Sequence, residues 1–544
     1  EMDKPRLIYY QDAHHFHAKR IDPPVSIRKL QYPVDELLGT GVDVLAFGLG
    51  YGDVYFHDSK VGRVVGQMQE TWESFIDWRI MRMVSDAREM GTDQLHEVIK
   101  RGSSQGLKVW PSLKLQSCDK PGSDRCGLLK WERWREVCIG EKNEHHPRYE
   151  FCYDYAHPDV RQAKLDIVEE VLRDYESDGI ELDFMFVPKF FRTGKEEEGV
   201  PVMNEFVGRI RELADKIGQS QGRHISVCVR VFDQREYNLK QGLDVESWLA
   251  QKNVDVLVGQ VSEQFFDTGL DVKWLAQAAS STGAASYVRP ARRVYDERTS
   301  FPSPEMYRAL AQNTRREGVD GMYLGYLSWP FGETEYQILR EAAFPAAHER
   351  RDKYYLLQPR EPGLVFEELL DYQGDWPKHS PRPEDEITQP PPRQLPVGLE
   401  EGKASVIKIL ISDDVDGARN DDEMRKPVLT IRFSTYCVDD AIEVKFNGEI
   451  LATESAEITD EMGLSIPTRL RSPVDVPMGM SAHWFRYRLD TTILKRGENT
   501  LEIKPHKLST SAGFTRSVSG VEIQTRYKDF VRPEGLSVER VTAS

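Results

Sequence analysis

Two carboxylates alternate with apolar residues in Asp178-Gly-Ile-Glu-Leu-Asp-Phe-Met-Phe186. As an extended strand, this segment sends Ile180, Leu182 and Phe184 to one face and Glu181, Asp183 and Met185 to the other. Carboxylates on the inner face of a buried strand are costly to desolvate. A chain keeps them where a site needs them or where cations pair with them. Hydrolysis of a glycosidic bond uses two such groups, one as acid and one as nucleophile or base. Asp183, nearer the carboxyl end of the segment, is the first candidate for such a group. Glu263, in Gln260-Val-Ser-Glu-Gln264, is the first candidate acid, and Asp233, in Arg230-Val-Phe-Asp233, the second. A separation of about 5–5.5 Å between the pair means retention, and about 6.5–9.5 Å inversion. The competing reading of Asp183 is an ion pair with Arg230, which shares an inward parity with Ser226 and Cys228. Glu181, one layer deeper, reads as a buried ion-pair or orienting partner.

The stretch Gln11-Asp-Ala-His-His-Phe-His17 gathers three histidines and an Asp. Such a set suits a metal, sugar hydrogen bonding or a plain surface loop. Its spacing fits no zinc motif, and His14 and His15 point apart if extended, so no metal is expected. No glycine-rich phosphate turn follows the first strand, so no nucleotide cofactor is expected either. Aromatic residues recur where strands end: Tyr10, Tyr51, Trp110, Phe186, Phe190, Phe191, Tyr287, Tyr326 and Trp329. So do cations: Lys114, Lys189, Arg192, Arg230, Arg289, Arg292 and Arg293. Rings stack on sugar faces, and arginine forks match carboxylate and sulfate. The residues expected to bind substrate are Asp12, His14, Tyr51, Trp110, Lys114, Glu181, Arg230, Arg289, Tyr326 and Trp329. The substrate they suggest is a carbohydrate, acidic or sulfated in view of the cations. Pairing of those cations with local acids is the alternative.

Eight strands are expected to position these residues: Arg6–Tyr10, Val42–Gly48, Leu107–Leu113, Gly179–Met185, Ile225–Val231, Val254–Gln260, Ala284–Arg289 and Gly321–Tyr326. Helical patterns fall between most of them, at Trp72–Met90, Asp93–Gly102, Asp159–Tyr175, Met203–Ile217, Val245–Gln251, Val272–Ser280 and Pro304–Glu317. Strands alternating with helices pair in parallel, and eight such units predict a (β/α)₈ barrel, whose active site lies at the carboxyl ends of the strands. The barrel domain is expected over 1–375. A proline-rich, charged linker follows at 376–396. Residues 397–544 switch to strands alone, at Val406–Ile411, Val428–Phe433, Ala441–Phe446, Trp484–Leu489, Asn499–Ile503 and Val521–Tyr527. Turns such as Phe446-Asn-Gly-Glu449 separate them, which predicts a β-sandwich.

Asp-Gly-Ile-Glu-Leu-Asp resembles the fourth strand of several barrel glycoside hydrolase families. Chitinase-like enzymes carry Asp-Gly-x-Asp-x-Asp-x-Glu there, with the last Glu as acid. Met185 holds that place here, which speaks against substrate-assisted chemistry. In α-galactosidase-like and α-amylase-like groups the Asp at the end of strand four is the nucleophile, and Asp183 fits that place. Gly41–Asp43, His57–Gly62, Asp154–Pro158, Asp178–Pro188, Arg230-Val231 and Gly242–Trp248 together look like uncharacterised glycoside hydrolase-like barrels of environmental bacteria. Phe446-Asn-Gly-Glu-Ile-Leu451, Tyr487–Asp490 and Leu494–Ile503 resemble jelly-roll accessory modules of carbohydrate-active enzymes. The resemblance implies a barrel hydrolase of unspecified substrate.

Bulk properties bound the remaining classes. The chain has 544 residues, 39% hydrophobic and 30% charged, with a net charge of −17. That charge argues against a general nucleic-acid binder. No apolar run approaches the roughly 20 residues of a membrane-spanning helix. Cys118, Cys126, Cys138 and Cys152 lie close together in sequence, and with six cysteines in all one or two disulfides and a secreted or periplasmic location are expected. Structural zinc is disfavoured by the wide spacings, and free thiols remain open. Two other functions compete with the hydrolase: a non-catalytic carbohydrate-binding barrel, and a metal-dependent hydrolase built on the strand-one histidines.

Overall fold

The computed structural model describes residues 4–69, 71–72, 74–142, 148–261, 265–294, 301–359, 394–434, 436–437, 439–460, 482–509 and 516–528. Eight parallel strands close into a barrel: β1 Leu7–Gln11, β2 Val44–Gly48, β3 Lys108–Lys114, β4 Gly179–Asp183, β5 Ser226–Phe232, β6 Val256–Gln260, β7 Ala285–Arg289 and β8 Gly321–Gly325. Every strand read from the sequence is present, with ends shifted by one or two residues. The outward residues Ile180, Leu182, Val227, Val229 and Val231 join the helices in one large apolar layer. The inward residues Ile8, Tyr10, Val44, Ala46, Trp110, Cys228, Val256, Val258, Tyr287 and Tyr323 form a second, enclosed cluster. The alternation in β4 and β5 therefore runs as the parity argument requires.

Register sets the depth of each inward group. Ser112 is level with Glu181, Lys114 with Asp183, Asp183 with Arg230, and Gln260 with Arg289. Trp110 lies below Ser112, at the amino-terminal end of the barrel. Gly179 makes room for it, since a Cβ there would stand 2.8 Å from the indole and 2.7 Å from the Ser226 carbonyl. The floor of the barrel is thus apolar, and its polar groups gather toward the carboxyl ends.

The expected helices are present, at Phe75–Glu89, Gln94–Gln105, Pro158–Asp174, Glu196–Gln221, Val245–Ala250, Lys273–Ser280 and Pro304–Arg316. Glu196–Gln221 begins before Pro201, seven residues earlier than its apolar pattern suggests. Glu196, Glu197 and Glu198 fill its first turn, where acidic side chains suit the helix dipole. The first crossover differs from expectation. Ala13–Lys19 and Ile27–Asp35 are both helical, so the histidines follow β1 on a helix and not on an extended segment.

Beyond the barrel the chain forms two antiparallel sheets. One runs in the order Lys353–Leu357, Ser517–Thr525, Val428–Ser434, Ala482–Arg488, Glu457–Asp460, and the other Ser405–Ile411, Gly497–Lys507, Ala441–Phe446, Glu449–Leu451. Their facing residues, among them Ile407, Ile409, Leu429, Ile431, Phe485, Ile503 and Ile523, share one core, as in a β-sandwich. Lys353–Leu357 precedes the proline-rich segment, whose residues 376–393 lie outside the described part. Asp413 fastens this strand: it accepts from the hydroxyls of Tyr355 at 2.5 Å, Thr525 at 2.7 Å and Tyr527 at 2.6 Å, and its other contact is the Lys353 ammonium at 3.0 Å.

The four clustered cysteines correct the disulfide expectation. Cys118, Cys126, Cys138 and Cys152 are buried free thiols. Burial pushes the Cys118 thiol up to about 12 and those of Cys126 and Cys138 up to about 11. Neutral, enclosed thiols are poor nucleophiles. We expect at most one fast-reacting thiol, Cys437, with Ellman's reagent on the native protein at pH 8, and six after denaturation. Asp413→Ala leaves Lys353 buried without its anion, and should cost about 3–5 kcal/mol in chemical denaturation.

Candidate active site at the barrel mouth

β4 and β5 bring the key charges together. The Arg230 guanidinium lies between two carboxylates, with Nε donating to Glu181 Oε1 at 2.9 Å and Nη2 lying 2.6 Å from Asp183 Oδ2. All three side chains are enclosed. Burial works against the Arg230 charge, but Asp183 and Glu181 outweigh it and hold the guanidinium well above its usual pKa. Glu181 is further held by the Tyr323 hydroxyl at 2.6 Å and the Ser112 hydroxyl at 3.2 Å. The second oxygen of Asp183, Oδ1, accepts the Met185 backbone N–H at 2.8 Å. Arg230 also stacks over Tyr10, at 4.7 Å from the ring centre, and donates through Nη1 to Gln260 Oε1 at 2.8 Å.

A second centre lies at the end of β1. Asp12 caps the Ala13–Lys19 helix, accepting the backbone N–H groups of His14 at 2.9 Å and His15 at 3.3 Å through Oδ1. Its Oδ2 accepts from Lys114 Nζ at 2.8 Å and from the hydroxyls of Tyr326 at 3.1 Å and Tyr10 at 3.2 Å. Burial by itself would raise this carboxyl; Lys114, His15 and His14 reverse the effect and hold it well below the usual carboxylate range. Asp12 is therefore a fixed anion and no proton donor. The Lys114 ammonium also sits 4.2 Å from the centre of the Phe186 ring.

The His14 and His15 rings meet, with centres 5.6 Å apart, and His17 turns away from them. His14 packs edge-on against Tyr51 and lies 3.4 Å from Arg125 Nη2. His15 meets Tyr326, whereas His17 turns its ring to Phe56 and its Nδ1 to the Ala13 carbonyl. Burial pulls His17 down to about 4. No group of three metal-ligating side chains forms among the described residues.

Of the residues expected to bind substrate, Asp12, Lys114, Glu181, Arg230, Arg289 and Tyr326 form one connected network. Trp110 stands one inward layer below Glu181. His14 and Tyr51 are packed beside it. Trp329 lies outside it, over Arg20, and is partly exposed. Asp233 follows β5, with its backbone N–H on the Gln260 carbonyl at 3.2 Å. Glu263 lies outside the described residues. Sequence reading missed Gln260, which links Arg230 to Arg289, and Tyr323, which anchors Glu181. Both are inward residues of an alternating strand, and parity alone could have found them. It also missed that Asp12 is an N-cap, although an Asp just ahead of a helix is a recognised start signal.

No protein-family profile and no curated protein sequence matches the chain. Solved structures with a similar arrangement include α-L-fucosidase isoenzyme 2 from Paenibacillus thiaminolyticus, at 14% identity over 64% of this chain and 49% of that one, with a TM-score of 0.40. An endo-β-1,4-mannanase from Thermotoga petrophila is similar at 13% identity over 94% and 97% of the two chains, with a TM-score of 0.42. A glycoside hydrolase family 18 N-acetylglucosaminidase from Paenibacillus barengoltzii is similar at 11% identity over 62% and 99%, with a TM-score of 0.35. The chain spans about half the length of the fucosidase. At these identities and scores the likeness carries no argument about activity.

Arg230→Met leaves Glu181 and Asp183 facing each other with no cation between them. We expect a loss of about 3–5 kcal/mol in denaturant titrations at pH 7. The pair Arg230→Met with Glu181→Gln should recover part of that loss.

Proposed function

We propose that this chain is a glycoside hydrolase working at the carboxyl-terminal mouth of the barrel. The observation that carries the reading is Asp183: a carboxylate at the mouth end of β4, aimed by Arg230 on one oxygen and the Met185 N–H on the other. A carboxylate oxygen has two lone pairs, so these contacts orient Asp183 and leave capacity for a reacting atom. Asp183 acts as nucleophile on the anomeric carbon, or as base on a water. Glu263, three residues after the end of β6 in the sequence, is our choice for the acid that protonates the leaving oxygen, and Asp233 the second choice. Asp12, whose oxygens are filled by five donors, positions Lys114 and Tyr326, and Lys114 serves as a donor to the sugar. The half-buried Phe186 ring offers apolar surface for the sugar. The cations Lys114, Arg289 and Arg292 favour an acidic or sulfated glycan.

One observation favours a second reading, a carbohydrate-binding barrel without catalysis: Asp12 and Asp183 are both already engaged by cations. The two readings separate in product release from neutral, uronic and sulfated polysaccharides. For the hydrolase we expect product from the wild type, undiminished by chelator, and a loss of about 10²–10⁴-fold in Asp183→Asn, the span typical of a removed acid or base. Glu263→Gln should fall by a similar factor. Binding without product, indifferent to Asp183→Asn, would establish the second reading.

A further inference from the structure

Arg289 ends β7 with its side chain only 8% exposed. A guanidinium stays charged in proteins, and burying it is costly unless an anion or several acceptors compensate. The neighbouring buried cations meet this demand. Lys114 has Asp12, Arg230 has Glu181 and Asp183, and Lys164 has Asp53. Arg63, which has no carboxylate, donates to the carbonyls of Gln67, Ser123 and Cys126. Arg289 has neither kind of compensation among the described residues. Its one hydrogen bond runs from Nη1 to the neutral amide oxygen Gln260 Oε1, at 2.5 Å. Its other contacts are the ring faces of Tyr10, at 5.7 Å, and Tyr326, at 5.4 Å.

The surroundings add charge of the same sign. Arg292 lies 4.9 Å from the centre of the same Tyr326 ring. Tyr326 itself adopts a left-handed backbone, with φ of 55°. A bulky residue is held there only when its surroundings enforce it, and such positions cluster at functional sites. Here the enforcing contacts include the Tyr326 hydroxyl on Asp12, which fixes the ring beside both arginines. The ends of strands seven and eight are also where barrel enzymes often bind phosphate.

We propose that Arg289 is the anion receptor of the site: with Nη1 committed to Gln260, its Nε and Nη2 form a free fork for the two oxygens of a carboxylate or sulfate group on the sugar. This rests on the hydrolase reading in naming a sugar as the carrier of the anion and in placing the reacting bond at Asp183. Gln260 accepts from both Arg230 and Arg289, so the receptor stands one amide away from the guanidinium that aims Asp183. The charged substituent therefore lies close to the reacting bond, and Arg289 sets specificity at that subsite.

The test is calorimetric titration of wild type, Arg289→Lys and Arg289→Met. The probes are tetrasaccharides of a uronic acid, the same sugars methyl-esterified, and sulfated galactose tetrasaccharides, with product release followed in parallel and Tm as a fold control. We expect the wild type to bind the free acid or the sulfate ester about 10- to 100-fold more tightly than the methyl ester, the range of one charged hydrogen-bonded contact. Arg289→Met should abolish that preference at unchanged Tm, and Arg289→Lys should keep part of it. Preference for uronate over sulfate would identify a planar carboxylate as the natural group, and the reverse a sulfate. Neither the free acid nor the sulfate binding the wild type more tightly than the methyl ester, absence of binding by all three included, overturns the proposal, as does a preference that survives in Arg289→Met. If Arg289→Met does not fold, Arg289→Lys with a weakened preference supports the proposal and one with the full preference overturns it. Cleavage of neutral glycans with no anion preference would remove this inference and keep the hydrolase; an anion preference with no cleavage would do the opposite.

Discussion

One guanidinium between two carboxylates organises the upper half of this barrel. Arg230 neutralises part of the charge that Glu181 and Asp183 bring into a space with little water. Neither carboxylate would be affordable there without it, since an isolated buried charge costs many kcal/mol. Its grip also settles geometry. Glu181 is pulled down toward Ser112 and Tyr323, while Asp183 is turned up toward the mouth. The ring faces of Tyr10 and Tyr323 flank the guanidinium, so the cation is held by packing as well as by charge.

From that centre the polar network spreads around the rim in alternating sign. Asp12 answers Lys114, Arg230 answers Asp183, and Gln260 passes the contact to Arg289. The remaining inward residues are apolar, with Trp110 and Val256 beneath Arg230 and Val258 and Tyr287 beside it. Water and ligand thus meet fixed charges on one side only. Fixed dipoles and charges in such a setting act on a bound molecule with little reorganisation, which is why the same arrangement serves binding and chemistry alike.

The barrel was legible because its strands are buried on both faces and its helices on one. Buried strands read as short apolar runs, and helices as runs with a period near 3.6, so their order in the chain already implied parallel pairing. The inward parity of β4 and β5 exposed Glu181, Asp183 and Arg230 together. Depth follows from position along a strand as well as parity: Trp110 shares its inward parity with Lys114 but stands four residues earlier on the same strand, and so lies deep in the lumen. The helix after β1 escaped notice because Ala13-His-His-Phe-His-Ala-Lys19 is too short to show a period. The thiols were misjudged because an even cysteine count is a statement about composition, and burial decides their chemistry. Partners such as Gln260 depend on three strands meeting, which sequence spacing does not encode.

Lys353–Leu357 pairs along its whole length with Ser517–Thr525, so that Lys353 faces Thr525 and Leu357 faces Val521. The same late strand pairs on its other side with Val428–Ser434. During synthesis the barrel emerges complete, and domains fold in order of emergence. Lys353–Leu357 then waits against the Pro304–Arg316 helix, which it contacts closely, while some 160 further residues are made. The strand that joins it to the rest of its sheet is made after every other described strand of that sheet. The sandwich therefore has an open seam through most of its translation, with two unpaired strand edges facing a gap of one strand's width. A nascent chain in that state is a docking site for any passing β-strand, and a truncation near residue 510 would hold the molecule there permanently.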